Sequence, residues 1–152
     1  VSLAKKIPTA TVIGVDLSQK ALEVAKENAN RHHVSDRCEF RKGDLLEPLK
    51  EKVELIISNP PYIPSAEIPS LQPEVRDWEP IEALDGKEDG LFYIKKLIEE
   101  SPKHLKENGI LAFEFGAGQS KAIKAYAAKF FSQISIYKDY AGIERIFMGQ
   151  AN

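Results

Sequence analysis

Asparagine, two prolines and a tyrosine stand in a row at residues 59–62, directly after the apolar run 53–58. A residue before proline is pushed out of helical geometry, and Pro60 and Pro61 each hold φ at about −65°. Neither ring has an N–H, so the segment cannot pair onward in a sheet, and its carbonyls are held out at the strand's end. There the Asn59 side-chain oxygen and the Pro60 carbonyl can both accept hydrogen bonds, while Tyr62 offers a flat face. Such a set suits a planar group that carries an NH₂. An amide or aryl amine is a poor nucleophile because its lone pair is delocalised. Two acceptors pulling on its hydrogens return density to nitrogen and aim the lone pair. Against a sulfonium methyl no base need act before attack, so positioning and electrostatics carry the catalysis. A plain strand-ending proline turn would account for Pro60 and Pro61 but gives Asn59 and Tyr62 no purpose.

Two carboxylates offer a companion site. Asp16 closes the β-branched run 9–16 just before a helix, the position where acids in doubly wound sheets grip ribose hydroxyls. The competing reading is a helix-start carboxylate facing the next amides. Asp44 and Leu45 end the following strand after Gly43; the carboxylate could accept from an adenine amine while Leu45 packs on the ring. Taken alone, Asp44 reads as a turn acid. One strand along from Asp16, the two acids form a plausible nucleoside cradle.

The elements that must position these residues follow from periodicity. Residues 9–16, 38–44, 53–58 and 110–115 read as strands, and Ser18 caps a helix over 19–32. Residues 60–88, with prolines at 60, 61, 64, 69, 73 and 80, read as one long ordered loop without elements, a feature that is usually functional. Asp89 is expected to cap a helix with Leu91, Ile94, Leu97 and Ile98 as its buried stripe, interrupted by Pro102 and ended by Gly109. A helix over 119–131 precedes a closing antiparallel pair at about 135–137 and 144–149, around Ala141-Gly142. Alternating strands and helices imply an α/β sheet covered on both faces. The first eight residues read as a helix tail stopped by Pro8, with no cap ahead of them.

Composition narrows the classes. A chain of 152 residues with 43% apolar and 29% charged residues is the size and type of one globular domain. Its formal charge of −2 argues weakly against bulk attraction to nucleic acid or anionic membrane. Cys38 is the only cysteine, which excludes an intrachain disulfide and a thiolate metal cluster and fits a reducing cytoplasm. No run approaches the roughly 18 apolar residues of a membrane span. His32 and His33 follow a helix, where they suit its C-terminal carbonyls better than a metal. His104 stands alone, and no metal site is expected. Trp78 reads as packing within the long loop in preference to an exposed recognition residue.

An Asn-Pro-Pro-Tyr run after a strand, with an acid-ended strand upstream, resembles the class I S-adenosylmethionine-dependent amino-methyltransferases. The stretch 71–97 is similar to one branch, the release factor glutamine methyltransferases of the PrmC/HemK type. Their E-P-x-x-A-L-x-G-x-x-D-G-L pattern is met by Glu79, Pro80, Ala83, Leu84, Gly86, Asp89, Gly90 and Leu91, and 138–147 resembles their last hairpin. The resemblance implies a Rossmann-like α/β fold, mostly parallel with a C-terminal antiparallel hairpin. It implies S-adenosyl-L-methionine held by Asp16 and Leu17 on the ribose side, by Asp44 and Leu45 at the adenine, and by Asn59 between cofactor and substrate. It also implies that Asn59, Pro60, Pro61 and Tyr62 hold the substrate. That substrate is the glutamine of a Gly-Gly-Gln motif in class I peptide chain release factors, methylated at N5, with neither membrane nor nucleic acid as partner.

The family's glycine-rich cofactor loop and first strand have no counterpart in these residues. The expectation is therefore one catalytic domain over 1–152, truncated at its N-terminus, with two sheet edges left unpaired. The alternatives are a methyltransferase for exocyclic amines of adenine or guanine in DNA or RNA, which the acidic balance and residues 71–91 disfavour, and a fragment inactive by itself.

Overall fold

A computed structural model of the chain describes residues 1–151, which divide into two units, Val1–Lys50 and the residues from Glu51 onward. In the first unit the elements are α1 (Ser2–Lys6), β1 (Val12–Asp16), α2 (Gln19–Arg31) and β2 (Cys38–Lys42). Strands β1 and β2 pair in parallel, Asp16 opposite Lys42. Gly14 is required where β1 meets β2, because a Cβ there would come within 2.9 Å of the Phe40 ring. Ser18 caps α2 as expected, its Oγ accepting from the Ala21 amide at 3.2 Å. Ala4, Ala29 and Val34 form the buried cluster, with Val12, Cys38 and Phe40 packed against it. Arg37 donates to the carbonyl of Ala4 at 2.8 Å, an acceptor that the short α1 leaves open, and to that of Ala10 at 3.0 Å in the turn before β1.

The second unit holds β3 (Val53–Ser58), α3 (Pro73–Arg76), α4 (Ile81–Leu84), α5 (Phe92–His104), β4 (Leu105–Glu114), α6 (Ser120–Ala127), β5 (Gln133–Lys138) and β6 (Glu144–Gln150). Its sheet runs β3-β4-β6-β5, with β3 parallel to β4 and the β6–β5 hairpin antiparallel. Leu111, Phe113 and Phe147 point to the face that α5 and α6 cover, and the Phe113 and Phe147 rings stack 4.5 Å apart. Gly149 lies against the Phe147 and Phe131 rings, since a Cβ there would meet both at 2.9 Å.

Five expectations need correcting. Residues 60–88 are not free of elements: a 3₁₀ turn (Ser65–Ser70) and the single-turn helices α3 and α4 lie within them. Prolines start these turns as readily as they break longer helices, with Pro73 opening α3 and Pro80 preceding α4. Pro102 lies inside α5 without interrupting it; its missing N–H removes one helical bond, and the helix ends two residues later. The helix ends at His104, and β4 starts five residues before the expected position 110, the register shifting between Val53 and Leu55. Asp89 stands ahead of α5 and accepts from the Leu91 amide at 2.9 Å, while Leu91 occupies the N-cap position. Finally, the sheet of this unit is not buried on both faces: Ile56 of β3 is buried, whereas Leu55 and Ile57 are exposed.

Candidate active site

Strand β3 delivers Asn59 at its C-terminal end, directly after Ser58, which pairs with Phe113 of β4. Asn59 is exposed, Pro60 buried, and Pro61 and Tyr62 half-buried. Among the described residues no hydrogen bond engages the Asn59 side-chain amide or the Pro60 carbonyl. Both acceptors singled out in the sequence therefore keep their lone pairs for another molecule.

Tyr62 is held at three points. Its hydroxyl donates to Glu114 Oε1 at 3.0 Å, and its carbonyl accepts from Gln119 Nε2 at 2.9 Å. Its ring lies against Gly116, where a Cβ would approach Tyr62 Cδ2 to 3.3 Å. The Gln119 side chain is itself oriented by the Gly116 amide, which donates to its Oε1 at 2.8 Å. Gly90 closes the arrangement, with φ at +70° and a hypothetical Cβ only 2.4 Å from the Tyr62 carbonyl. Only glycine meets both conditions without strain.

Burial, followed by the hydrogen bond to Glu114, raises the Tyr62 phenol above its ordinary value of 10.0. The sign follows from a folded value above the unfolded one. The stabilising O–H···O contact is complete below pH 10.0 and is lost as pH rises through the folded value. Subtracting the alkaline absorbance titration of Tyr62→Phe from that of the parent is expected to isolate a phenolate whose midpoint lies above pH 10.0. A difference curve with its midpoint at or below that value would remove the Glu114 contact from the account.

The chain beyond Tyr62 leaves the site and returns to it. Ile63 and Asp85 form a parallel bridge, with the Ile63 amide donating to the Leu84 carbonyl and the Gly86 amide to the Ile63 carbonyl. The Asp85 carboxylate accepts from Ser65 Oγ at 2.6 Å, from the Lys87 amide at 2.9 Å and from Lys87 Nζ at 3.0 Å. The Ser65 hydroxyl first, and then Lys87, hold its pKa down to about 2 from 3.8. This clamp therefore acts fully above pH 3.8 and fades as pH falls toward about 2. Trp78, the sole tryptophan, lies inside the clamped excursion and reports on it. Its fluorescence anisotropy is expected to hold from neutral pH to about 4 and then drop in the parent, and to start low and stay flat in Asp85→Ala. Superimposable curves for the two proteins would contradict the clamp.

In the first unit, β1 and β2 bring Asp16 and the Gly43-Asp44 turn side by side, the Gly43 amide donating to the Asp16 carbonyl at 3.1 Å. Asp16 Oδ1 accepts from the Ser18 amide at 2.7 Å, so the helix-start role is real. It uses one carboxylate oxygen; the residue is exposed, and Leu17 beside it is 55% exposed. Asp44 and Leu45 are half-buried, and Leu45 takes φ at +45°, a left-handed conformation unfavourable for a bulky side chain. An acceptor at a strand end, an acid one strand along and an apolar side chain beside it fit the ribose, amine and ring of a nucleoside.

Other singled-out residues fall outside these sites. His32 and His33 do meet the end of α2, but through their backbone amides, which bond the Asn28 and Asn30 carbonyls. No group of three His, Cys, Asp or Glu among the described residues is placed to hold a metal, and no helix there is long and apolar enough to cross a membrane. Glu114, Gln119 and Gly90 were not singled out in the sequence as site residues. Glu114 carried a usable signal, an acid at the end of an apolar strand. Gln119 carried none.

Comparison with known proteins adds the family. A family model described as a methyltransferase domain matches residues 1–139. The chain is 40% identical over 151 residues to the release factor glutamine methyltransferase of Thermodesulfovibrio yellowstonii, a match covering 98% of the chain and 54% of that relative. It is 42% identical over 154 residues to the protein of the same name from Gloeobacter violaceus, covering 99% and 54%. The chain thus spans about half the length of the curated relatives it matches. Among solved structures it resembles TrmN from Thermus thermophilus, with a TM-score of 0.67 at 18% identity over 99% of this chain and 39% of that one. That likeness concerns the fold, and the Rossmann-like α/β class I methyltransferase arrangement with its C-terminal antiparallel hairpin is the one expected from the sequence.

Proposed function

The chain belongs to the methyltransferase-domain family, and from that premise we propose that it is the catalytic part of an enzyme that methylates a glutamine side-chain amide in class I peptide chain release factors. The methyl donor in this reading is S-adenosyl-L-methionine, the compartment is the cytoplasm, and residues 1–152 serve as one catalytic domain. The observation that carries the reading is the pair of unengaged acceptors, the Asn59 amide oxygen and the Pro60 carbonyl, at a strand end beside a fixed tyrosine. Two acceptors match the two N–H bonds of a primary amide, whereas a hydroxyl could fill only one of them and an ester neither.

Residue roles follow from that match. The Asn59 oxygen and the Pro60 carbonyl each accept one amide hydrogen, which fixes the plane of the NH₂ and directs its lone pair. Tyr62 covers the amide with its ring, and Pro61 fixes the backbone between them. Glu114 and Gln119 act as positioning residues, holding Tyr62 by its hydroxyl and its carbonyl. Asp16, with Leu17, offers a carboxylate oxygen to ribose hydroxyls, and Asp44 and Leu45 offer an acceptor and an apolar surface to adenine. When bound, the sulfonium group supplies an electrophilic methyl. As nitrogen turns positive, the two acceptors gain strength, and the proton leaves to solvent after transfer.

The reading is tested by incubating the full-length enzyme with labelled donor, a class I release factor and a nucleic-acid mixture. Label is expected in the protein. Label in nucleic acid and none in protein would overturn it.

A further inference from the structure

The excursion between Ser65 and Asp85 starts and ends at the candidate site, yet its outer surface is turned to solvent. Trp78 is 86% exposed, and Ile81 beyond it is 56% exposed. The sequence suggested an indole packed within the loop; the structure places it outside, with no aromatic or cationic partner among the described residues. The surroundings are strongly acidic. Between Ser65 and Asp85 six acids face one base, Arg76, and Arg76 is taken by Asp77. Glu74 and Glu79 are exposed and carry no ion pair among the described residues, while the exposed Glu82 acts on Lys87 from a distance. The chain's formal charge is only −2, so the excursion concentrates negative charge that the rest of the molecule offsets.

An exposed indole on an acid-rich excursion repels phosphate backbones and attracts cations. Tryptophan presents the best aromatic face for an arginine or lysine, and flanking carboxylates add charge complementarity and faster encounter. The stem is fixed by the Ile63–Asp85 bridge and the Asp85 clamp, which ties this surface to the segment that carries Asn59 to Tyr62. We propose that the 65–85 excursion is a docking surface for a basic stretch of the polypeptide substrate that flanks the acceptor glutamine, with Trp78 as its aromatic anchor. The proposal rests on the glutamine-amide reading above and names what that site uses to hold its partner.

The test compares steady-state methylation of an intact class I release factor with that of a short peptide bearing Gly-Gly-Gln, for the full-length enzyme and its Trp78→Ala and Glu74→Lys/Glu79→Lys variants. Trp78→Ala is expected to raise KM for the intact factor about tenfold, the scale of a modest interface anchor, with kcat and cofactor Kd unchanged. Trp78→Phe should recover part of that loss. The charge variant should raise KM at low salt and approach the parent at high salt, as screening removes the attraction. Turnover of the short peptide should be the same in all four proteins. If the parent methylates the factor and Trp78→Ala matches it, the docking claim fails while the amide reading stands. If Trp78→Ala slows the peptide reaction equally, Trp78 shapes the site itself and the docking claim fails. If the parent transfers no methyl to the factor, the amide reading fails and the docking claim falls with it.

Discussion

Asn59→Ala in the full-length enzyme is expected to lower the single-turnover rate of methyl transfer by about 10²–10³, the scale of losing one preorganised oxyanion-hole donor. The substitution leaves the amide NH₂ held by the Pro60 carbonyl alone, free to swing out of line with the bond being broken. It also withdraws an acceptor from a nitrogen that turns positive during transfer. The fold should not suffer, because Asn59 is exposed and its side chain makes no hydrogen bond among the described residues. Cofactor affinity should fall much less than the rate. Asn59→Asp keeps an acceptor and adds a negative charge, so it should bind a sulfonium more tightly without recovering the parent's rate. Rapid-quench measurement at saturating cofactor decides the matter: a rate for Asn59→Ala within about threefold of the parent would remove the paired-acceptor mechanism, since that is far below the loss expected from such a group.

Asp16→Ala is expected to weaken S-adenosyl-L-methionine binding tenfold or more, because each charge-assisted bond to a ribose hydroxyl is worth roughly 1.5–3 kcal/mol. The carboxylate already accepts from the Ser18 amide through Oδ1, so alanine removes two contacts at once. Asp16→Asn separates them. An amide can keep its oxygen on Ser18 and so preserve the start of α2, while losing the charge that favours the ribose. Calorimetric Kd values should therefore rise for both variants, and thermal stability should fall only for Asp16→Ala. An unchanged Kd in Asp16→Asn beside a loss of stability in Asp16→Ala would reduce Asp16 to a helix-start residue.

The parts of the site that could be read in the sequence are those with local causes. Pro60 and Pro61 end a strand by their own chemistry, and Asn59 and Tyr62 stand out against them; the structure leaves both expected acceptors unengaged. Asp16 and Ser18 announce a strand end and a helix start through side-chain capping within a few residues. What fixes Tyr62 is not local. Glu114 and Gln119 reach it from 52 and 57 residues away, and their importance exists only once β4 lies beside β3. The glycine pattern marked Gly90, but its purpose, room for the Tyr62 carbonyl, could not be seen in one dimension. Element boundaries failed where polar residues extend an apolar strand, as Lys106 to Asn108 do in β4, and where prolines start short turns in a segment read as bare loop. Trp78 went wrong for a related reason. A large aromatic residue is usually buried, and its exposure becomes visible only when the loop that carries it is seen clamped at both ends.

In the proposed reaction, Asn59 and the Pro60 carbonyl hold the two hydrogens of a primary amide. The most direct measurement is methyl transfer by the full-length enzyme to a class I release factor, run beside a factor whose Gly-Gly-Gln glutamine is replaced by glutamate. The two side chains have the same length and nearly the same shape, and only the amide carries the NH₂. With both acceptors on one NH₂, one methyl group is expected on the glutamine nitrogen of the first factor and none on the second. Equal transfer to both, or transfer to a different residue in the first, would contradict that pairing.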